Sequence, residues 1–199
     1  MGKSTVTSNM AAALAATGYR VLQIGCDPKA DSTVNLLNGK SKISVLEYFR
    51  KKEEALTLED IVVEGFAGVP CVEAGGPTHA IGCAGRGIVT AMNVLEELEI
   101  FERYQPDIVF YDILGDVVCG RFAAPIRDGY ADEVVIVTSG EKMSLFAAKN
   151  IYEAVENFKD LGYASIKEVI LNRRNVKGEE EIVKNFARER GIELLGDIS

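Results

Sequence analysis

Short runs of consecutive apolar residues alternate along this chain with longer stretches in which apolar positions recur every three to four residues. The run from Arg20 to Gly25 carries Val21, Leu22 and Ile24 and predicts a buried strand. Asp107 to Asp112, through Ile108, Val109 and Phe110, predicts a second core strand, Val134 to Thr138 a third, and Val169, Ile170 and Leu171 a fourth. Helical patterns lie between them. The alanine-rich stretch Ser4 to Thr17 is closed by Gly18, a good C-terminal stop. From about Gly87 to Phe101, Ile88, Met92, Leu95 and Leu98 or Glu99 share one helical face. Two further helices are predicted near Ser144 to Phe158 and Glu179 to Arg190, and Ile192 to Leu195 reads as the start of one more strand. This alternation predicts the α/β class: a mostly parallel sheet with helices on both faces, in one domain spanning residues 1–199.

Composition narrows the partners. The 199 residues carry 22 Lys and Arg against 30 Asp and Glu, a net charge of −8, and no basic block stands out, which argues against a nucleic-acid partner. An anionic ligand must therefore be gripped locally. Neither a membrane-length apolar run nor a signal-peptide pattern is present, so the expectation is no membrane partner and a cytoplasmic location. The cysteines at 26, 71, 83 and 119 are too few and scattered for a disulfide-stapled fold, which leaves metal binding or burial.

In parallel α/β folds ligands gather at the carboxyl ends of the strands, and the residues there carry chemistry. The chain opens Met1-Gly2-Lys3-Ser4-Thr5, the tail of a Gly-x-x-x-x-Gly-Lys-Ser/Thr phosphate loop. In that loop backbone N–H groups cradle phosphates, the lysine reaches the β/γ oxygens and the hydroxyl ligates Mg²⁺. Taken alone, this four-residue match is weak, and an ordinary helix start capped by Ser4 accounts for it better. Asp112, ending a strand and followed by Gly115, has the form of a Mg²⁺-holding carboxylate leading into a γ-phosphate sensing loop. Asp27 and Asp31, after the first strand, are placed to polarise an attacking water and complete the outer shell of the metal. Together these loops point to a nucleoside triphosphatase. The strand and glycines that should precede Gly2 are not in the sequence, so the chain reads as truncated there, and again at Ile198-Ser199.

Cys83 lies in Gly82-Cys83-Ala84-Gly85-Arg86-Gly87 and Cys119 in Val117-Val118-Cys119-Gly120. Flanking glycines expose N–H groups to an anionic sulfur centre, and Cys83 adjoins a helix start. Two thiolates are half the complement of a [4Fe–4S] cubane, and a symmetric dimer would supply the rest. The competing reading is that these are buried small hydrophobes, which suits Cys26 and Cys71 well. A zinc site built on His79 and Cys83 lacks a second ligand pair.

These residues resemble the nitrogenase iron protein family, which includes dinitrogenase reductase and nitrogenase-like reductases. The likeness is carried by Gly2-Lys3-Ser4-Thr5, the Gly25-Cys26-Asp27-Pro28-Lys29-Ala30-Asp31-Ser32-Thr33 segment, Gly75-Gly76-Pro77, the Cys83 motif, and residues 109–120 from Val109 to Gly120. It extends over essentially the whole chain. The resemblance implies a P-loop NTPase fold with a deviant phosphate loop, and a homodimeric, ATP-dependent electron donor with one [4Fe–4S] cluster per dimer. By that likeness Cys83 and Cys119 ligate the cluster, and Gly2, Lys3, Ser4 and Thr5 form the phosphate loop with Ser4 on Mg²⁺. Asp27, Lys29 and Asp31 form a first switch, and Asp112, Gly115 and Asp116 a second one running into Cys119. Asn172 contacts adenine, and Arg86 matches an arginine that in some relatives is ADP-ribosylated. The implied partners are an upstream ferredoxin or flavodoxin and a larger metalloprotein acceptor, the catalytic component of nitrogen fixation or of a nitrogenase-like system.

Some residues depart from the family pattern. The signature lysine of the phosphate loop would precede Met1, Arg121 stands where a second glycine is usual, and Thr78-His79-Ala80-Ile81 replaces an acidic-proline run. These departures resemble a divergent nitrogenase-like member more than a standard nitrogen-fixing one. Two rival readings share the fold: a cluster-free partitioning or cell-division-positioning ATPase, and an inactive truncated remnant.

Overall fold

The computed structural model describes residues 2–40, 43–51, 56–75, 84–115, 126, 129–157, 159 and 164–199, with the backbone alone for residues 84–86. Two compact units divide it: residues 4–114 form the first, and residues 2–3, 115 and the described residues from 126 onward form the second.

The first unit opens with helix α1 (Lys3–Ala16). Gly18, at φ 102°, ends it as the pattern predicts: its N–H donates to Ala15 O at 3.0 Å and the N–H of Tyr19 to Leu14 O at 3.2 Å, the paired bonds of a Schellman stop. Strand β1 (Val21–Cys26) is buried at all six positions. Helices α2 (Val45–Lys51) and α3 (Leu58–Ile61) and strands β2 (Val63–Glu64) and β3 (Pro70–Glu73) follow, none of them foreseen from the apolar pattern. The helix predicted over 87–101 is two: α4 (Ala84–Glu97) and α5 (Ile100–Tyr104), broken where Glu99 takes a left-handed backbone at φ 55°. That break turns Ile100 fully inward, while Ile88, Met92 and Leu95 are buried as one face of α4.

Strand β4 (Ile108–Ile113) completes a four-stranded sheet ordered β2-β3-β1-β4. β1 pairs in parallel with both β3 and β4, and β2 is antiparallel to β3. β4 is an edge strand of this sheet, so its apolar residues Ile108, Val109 and Phe110 are only half-buried, where the sequence predicts a core strand. Ala11 of α1 packs with Val21, Leu36, Leu37, Val69 and Cys71 to form the core under the helix.

The second unit alternates strand and helix: β5 (Glu133–Thr138), α6 (Lys142–Glu156), β6 (Ser165–Asn172), α7 (Glu179–Arg190) and β7 (Glu193–Ile198). Its three strands are all parallel, in the order β5-β6-β7. Central β6 begins at Ser165 rather than at Val169, and buries Val169, Ile170 and Leu171. β5, at the edge, leaves Val135 exposed. Among the described residues no helix is long and apolar enough to cross a membrane.

Candidate functional site at the carboxyl ends of the strands

Residues in register on parallel strands point to the same face, so polarity can be followed along the α1 side of the first sheet. One row joins Cys71, Gln23 and Phe110; the next, nearer the carboxyl end, joins Glu73, Gly25 and Asp112. A row with one buried amide, Gln23, between Cys71 and Phe110 thus gives way to two buried carboxylates flanking a glycine, with Glu73 3% and Asp112 1% exposed. Gly25 is required there. A Cβ on it would lie 2.0 Å from Glu73 Oε2 and 2.7 Å from Ser32 Cβ.

The chain then turns out of β1 through Asp27, which is buried, while Lys29 and Asp31 are exposed. Asp27 Oδ1 accepts a hydrogen bond from the Lys29 N–H at 2.9 Å, an Asx turn that holds the carboxylate against its own loop. The predicted residues Asp27, Lys29, Asp31 and Asp112 therefore gather at one edge, because β1 and β4 are neighbours with Gly25 opposite Asp112.

Glu73 is the residue that sequence reasoning missed. Its Oε1 accepts from the Thr33 N–H at 2.6 Å and the Thr33 hydroxyl at 2.7 Å, and its buried Oε2 has no hydrogen-bond partner among the described residues. Burial pushes its carboxyl up to about 7, the charges of Asp112 and Asp31 push the same way, and the two Thr33 bonds oppose them. The signal available was a short apolar run, Val69 to Ala74, bounded by Gly68 and Gly75, but Pro70 within it argues against a strand interior. Pro70 is tolerated as the first residue of β3. Cys26 and Cys71 are both buried free thiols, as expected. Burial and, secondarily, the charge of Glu73 push the Cys71 thiol up to about 12, which leaves it unreactive.

In the second unit Gly2, at φ 75°, meets the end of β6. A Cβ at Gly2 would lie 2.5 Å from Asn172 Nδ2 and 3.5 Å from Arg174 Nη2, so the backbone at Gly2 approaches Asn172 closely, in a conformation that suits glycine. Lys3 and Ser4 are half-buried in the first turn of α1 and Thr5 is exposed there, its carbonyl accepting from Asn9 Nδ2 at 2.8 Å. The loop after Asn172 is held by Glu179, 3% exposed, whose carboxylate accepts from the Arg174 N–H at 2.9 and 3.1 Å and the Val176 N–H at 3.1 Å.

Gly115 is half-buried at a bend after β4. Arg86 falls in the first turn of α4, with only its backbone described. Cys83, Cys119, Asp116, His79 and Arg121 lie outside the described residues. Among the described residues no group of three or more His, Cys, Asp or Glu is arranged to hold a metal ion.

An α/β fold of parallel strands with acidic loops and a Gly-Lys-Ser helix start at the strand ends belongs to the P-loop NTPase class, and comparison with solved structures agrees. The septum site-determining protein MinD of Pyrococcus horikoshii OT3, solved with Mg-ADP, matches 99% of this chain and 75% of its own at 22% identity and a TM-score of 0.68. Apo McdA of Cyanothece matches at 17% identity and TM-score 0.66 over 100% of this chain and 81% of its own. Cobyrinic acid a,c-diamide synthase of Mycobacterium smegmatis, solved with an ATP analogue and magnesium, matches at 16% and 0.66 over 94% and 77%. At these identities the likeness is one of fold. The sequence is more specific: over residues 1–199 the chain belongs to the family described as 4Fe-4S iron sulfur cluster binding proteins, NifH/frxC family.

Proposed function

We propose that this chain is an ATP-dependent electron donor that carries a [4Fe–4S] cluster shared between two copies and passes electrons to a nitrogenase or nitrogenase-like partner. The observation that carries this reading is the family match, which runs the full length of the chain and includes the Cys83 and Cys119 motifs.

The site residues fit a magnesium nucleotide. The Gly2 backbone lies close against Asn172, and Lys3 and Ser4 open a 14-residue helix whose N-terminal N–H groups favour phosphate. In this reading Lys3 neutralises phosphate charge, Ser4 and Asp112 hold the Mg²⁺ shell, and Asn172 meets the base. Asp27 and Asp31 orient and polarise the attacking water, and Asp27 is kept in place by its Asx turn. Bound Mg²⁺ supplies charge for the transferred phosphoryl group. A [4Fe–4S] cluster on Cys83 and Cys119 supplies one-electron transfer. Asp112 and Cys119 belong to one continuous segment, so a nucleotide-driven shift of the loop after β4 is passed along the backbone toward Cys119.

The solved structures favour a second reading, a cluster-free positioning-type ATPase, since MinD and a ParA family ATPase of Chlorobium tepidum TLS share the fold. Anaerobic reconstitution with iron and sulfide separates the two. About four irons per two chains, and a cluster signal in the electron paramagnetic resonance spectrum of the reduced protein, are expected. Cys83→Ala and Cys119→Ala should each abolish the signal; an iron-free protein that hydrolyses ATP establishes the second reading.

A further inference from the structure

The acidic loop between Asp27 and Thr33 is anchored at both ends. At its start Asp27 O accepts from the Ala30 N–H at 2.9 Å, and Ala30 is held in the left-handed region at φ 53°. A side chain crowds that conformation, which persists only where the surroundings over-determine it. At its end two successive residues are tied to three different elements. Ser32 O accepts from Ser8 Oγ of α1 at 3.2 Å and from Gln23 Nε2 of β1 at 3.1 Å. Thr33 gives both its N–H and its hydroxyl to Glu73 Oε1 at the end of β3.

Of these ties, the one to Glu73 takes two donors from a single residue, at the shortest distances. Glu73 Oε2 occupies the space a side chain on residue 25 would need, and Ser32 Cβ closes the same gap. The carboxyl group thus lies between Gly25 and the end of the loop it holds. Both donors of Thr33 are buried, so releasing them from Glu73 leaves two polar groups without this acceptor.

We propose that Glu73 is a positioning residue of the nucleotide site: by holding both donors of Thr33 it fixes the end of the acidic loop, and with it the stations of Asp27 and Asp31. The assignment of a task to those carboxylates rests on the ATPase reading above; the anchoring itself does not. Ser8 ties the same loop end to α1, so a shift of that helix on phosphate binding would pull against the Glu73 anchor.

The test uses the full chain and the variants Glu73→Ala, Glu73→Gln and Thr33→Val, read by hydrogen–deuterium exchange without nucleotide and by steady-state ATP hydrolysis. In Glu73→Ala the peptide covering 27–34 should exchange about tenfold faster while α6 and α7 are unchanged. Its kcat should fall about tenfold with KM within about twofold. Glu73→Gln keeps an acceptor for Thr33 and should recover most of both losses, and Thr33→Val should fall between. Unchanged exchange at 27–34 in Glu73→Ala, uniform acceleration across the chain, or a rise in KM with kcat intact would overturn the proposal. If Glu73→Ala fails to fold, Glu73→Met, which fills the space without offering an acceptor, is read instead, and native-like exchange at 27–34 in it overturns the proposal. A native chain that hydrolyses no ATP defeats the functional reading alone, and the exchange measurement still decides whether Glu73 anchors the loop.

Discussion

Two buried glutamates, one in each unit, each hold a loop and are treated differently by their surroundings. Glu73 ends β3 and Glu179 opens α7; each is 3% exposed, each grips a loop that follows a strand end, and each presses on a glycine, Gly25 in one case and Gly140 in the other. Glu179 has amide donors on both oxygens, from Arg174 and Val176. Among the described residues Glu73 has both donors on one oxygen, none on the other, and two carboxylates raising its proton affinity. The first arrangement is a fastening. The second concentrates unfavourable electrostatics beside the acidic loop, where a change of charge or position has leverage on Asp27 and Asp31.

The sharpest way to break the comparison is steric. A Cβ at Gly140 would lie 2.2 Å from Glu179 Cβ and 2.9 Å from its Cα, where backbone must move, whereas at Gly25 the first obstacle is the end of the Glu73 side chain. Gly140→Ala should therefore destabilise by about 3 kcal/mol or more and Gly25→Ala by less, measured by urea denaturation. Equal losses would show that the two glutamates are alike in rigidity.

Next in size is removal of the fastening. Glu179→Ala leaves the Arg174 and Val176 amides without their acceptor and should cost about 2–3 kcal/mol, with faster exchange confined to 173–178. Glu179→Gln should cost less, because one acceptor oxygen remains.

The smallest expected effect concerns protons. Glu73 binds its proton more tightly in the native state, at about 7, than at its ordinary value near 4.5. The stability this contributes is fully present below about 4.5 and is lost as pH rises through 7. Between pH 5 and 8 the native chain should therefore lose about 1–3 kcal/mol relative to Glu73→Gln, which does not titrate. Parallel stability profiles for the two proteins would show that the proton is not held at Glu73.

Much of the fold is legible in the pattern of apolar residues. α1 with its Gly18 stop, β1, and α7 are found within a residue of their predicted bounds because each has a strong period or run and a clear terminator. The region between Asp31 and Gly75 is not legible in that way. Its helices are short, β2 has two residues, and Pro70 interrupts the run that becomes β3. Glu99 is another case: nothing local marks a glutamate for a left-handed turn, and it is accepted because Ile100 is buried by it. For the site, Gly2, Lys3, Ser4, Asp27, Asp31 and Asp112 are conspicuous because each belongs to a motif with a chemical reason. Glu73 belongs to none.

The amino-acid order by itself determined the class of fold and the family, and it singled out the loops proposed for phosphate and thiolate chemistry, since these follow from periodicity and from motifs whose spacing is local. Only the tertiary structure decided that Glu73, forty residues beyond Thr33, closes on it, and that Gly25 has carboxylates on both sides. Strand order and register bring together residues that are remote in sequence. A carboxyl group acquires an unusual proton affinity only from the neighbours and the burial that such pairing creates.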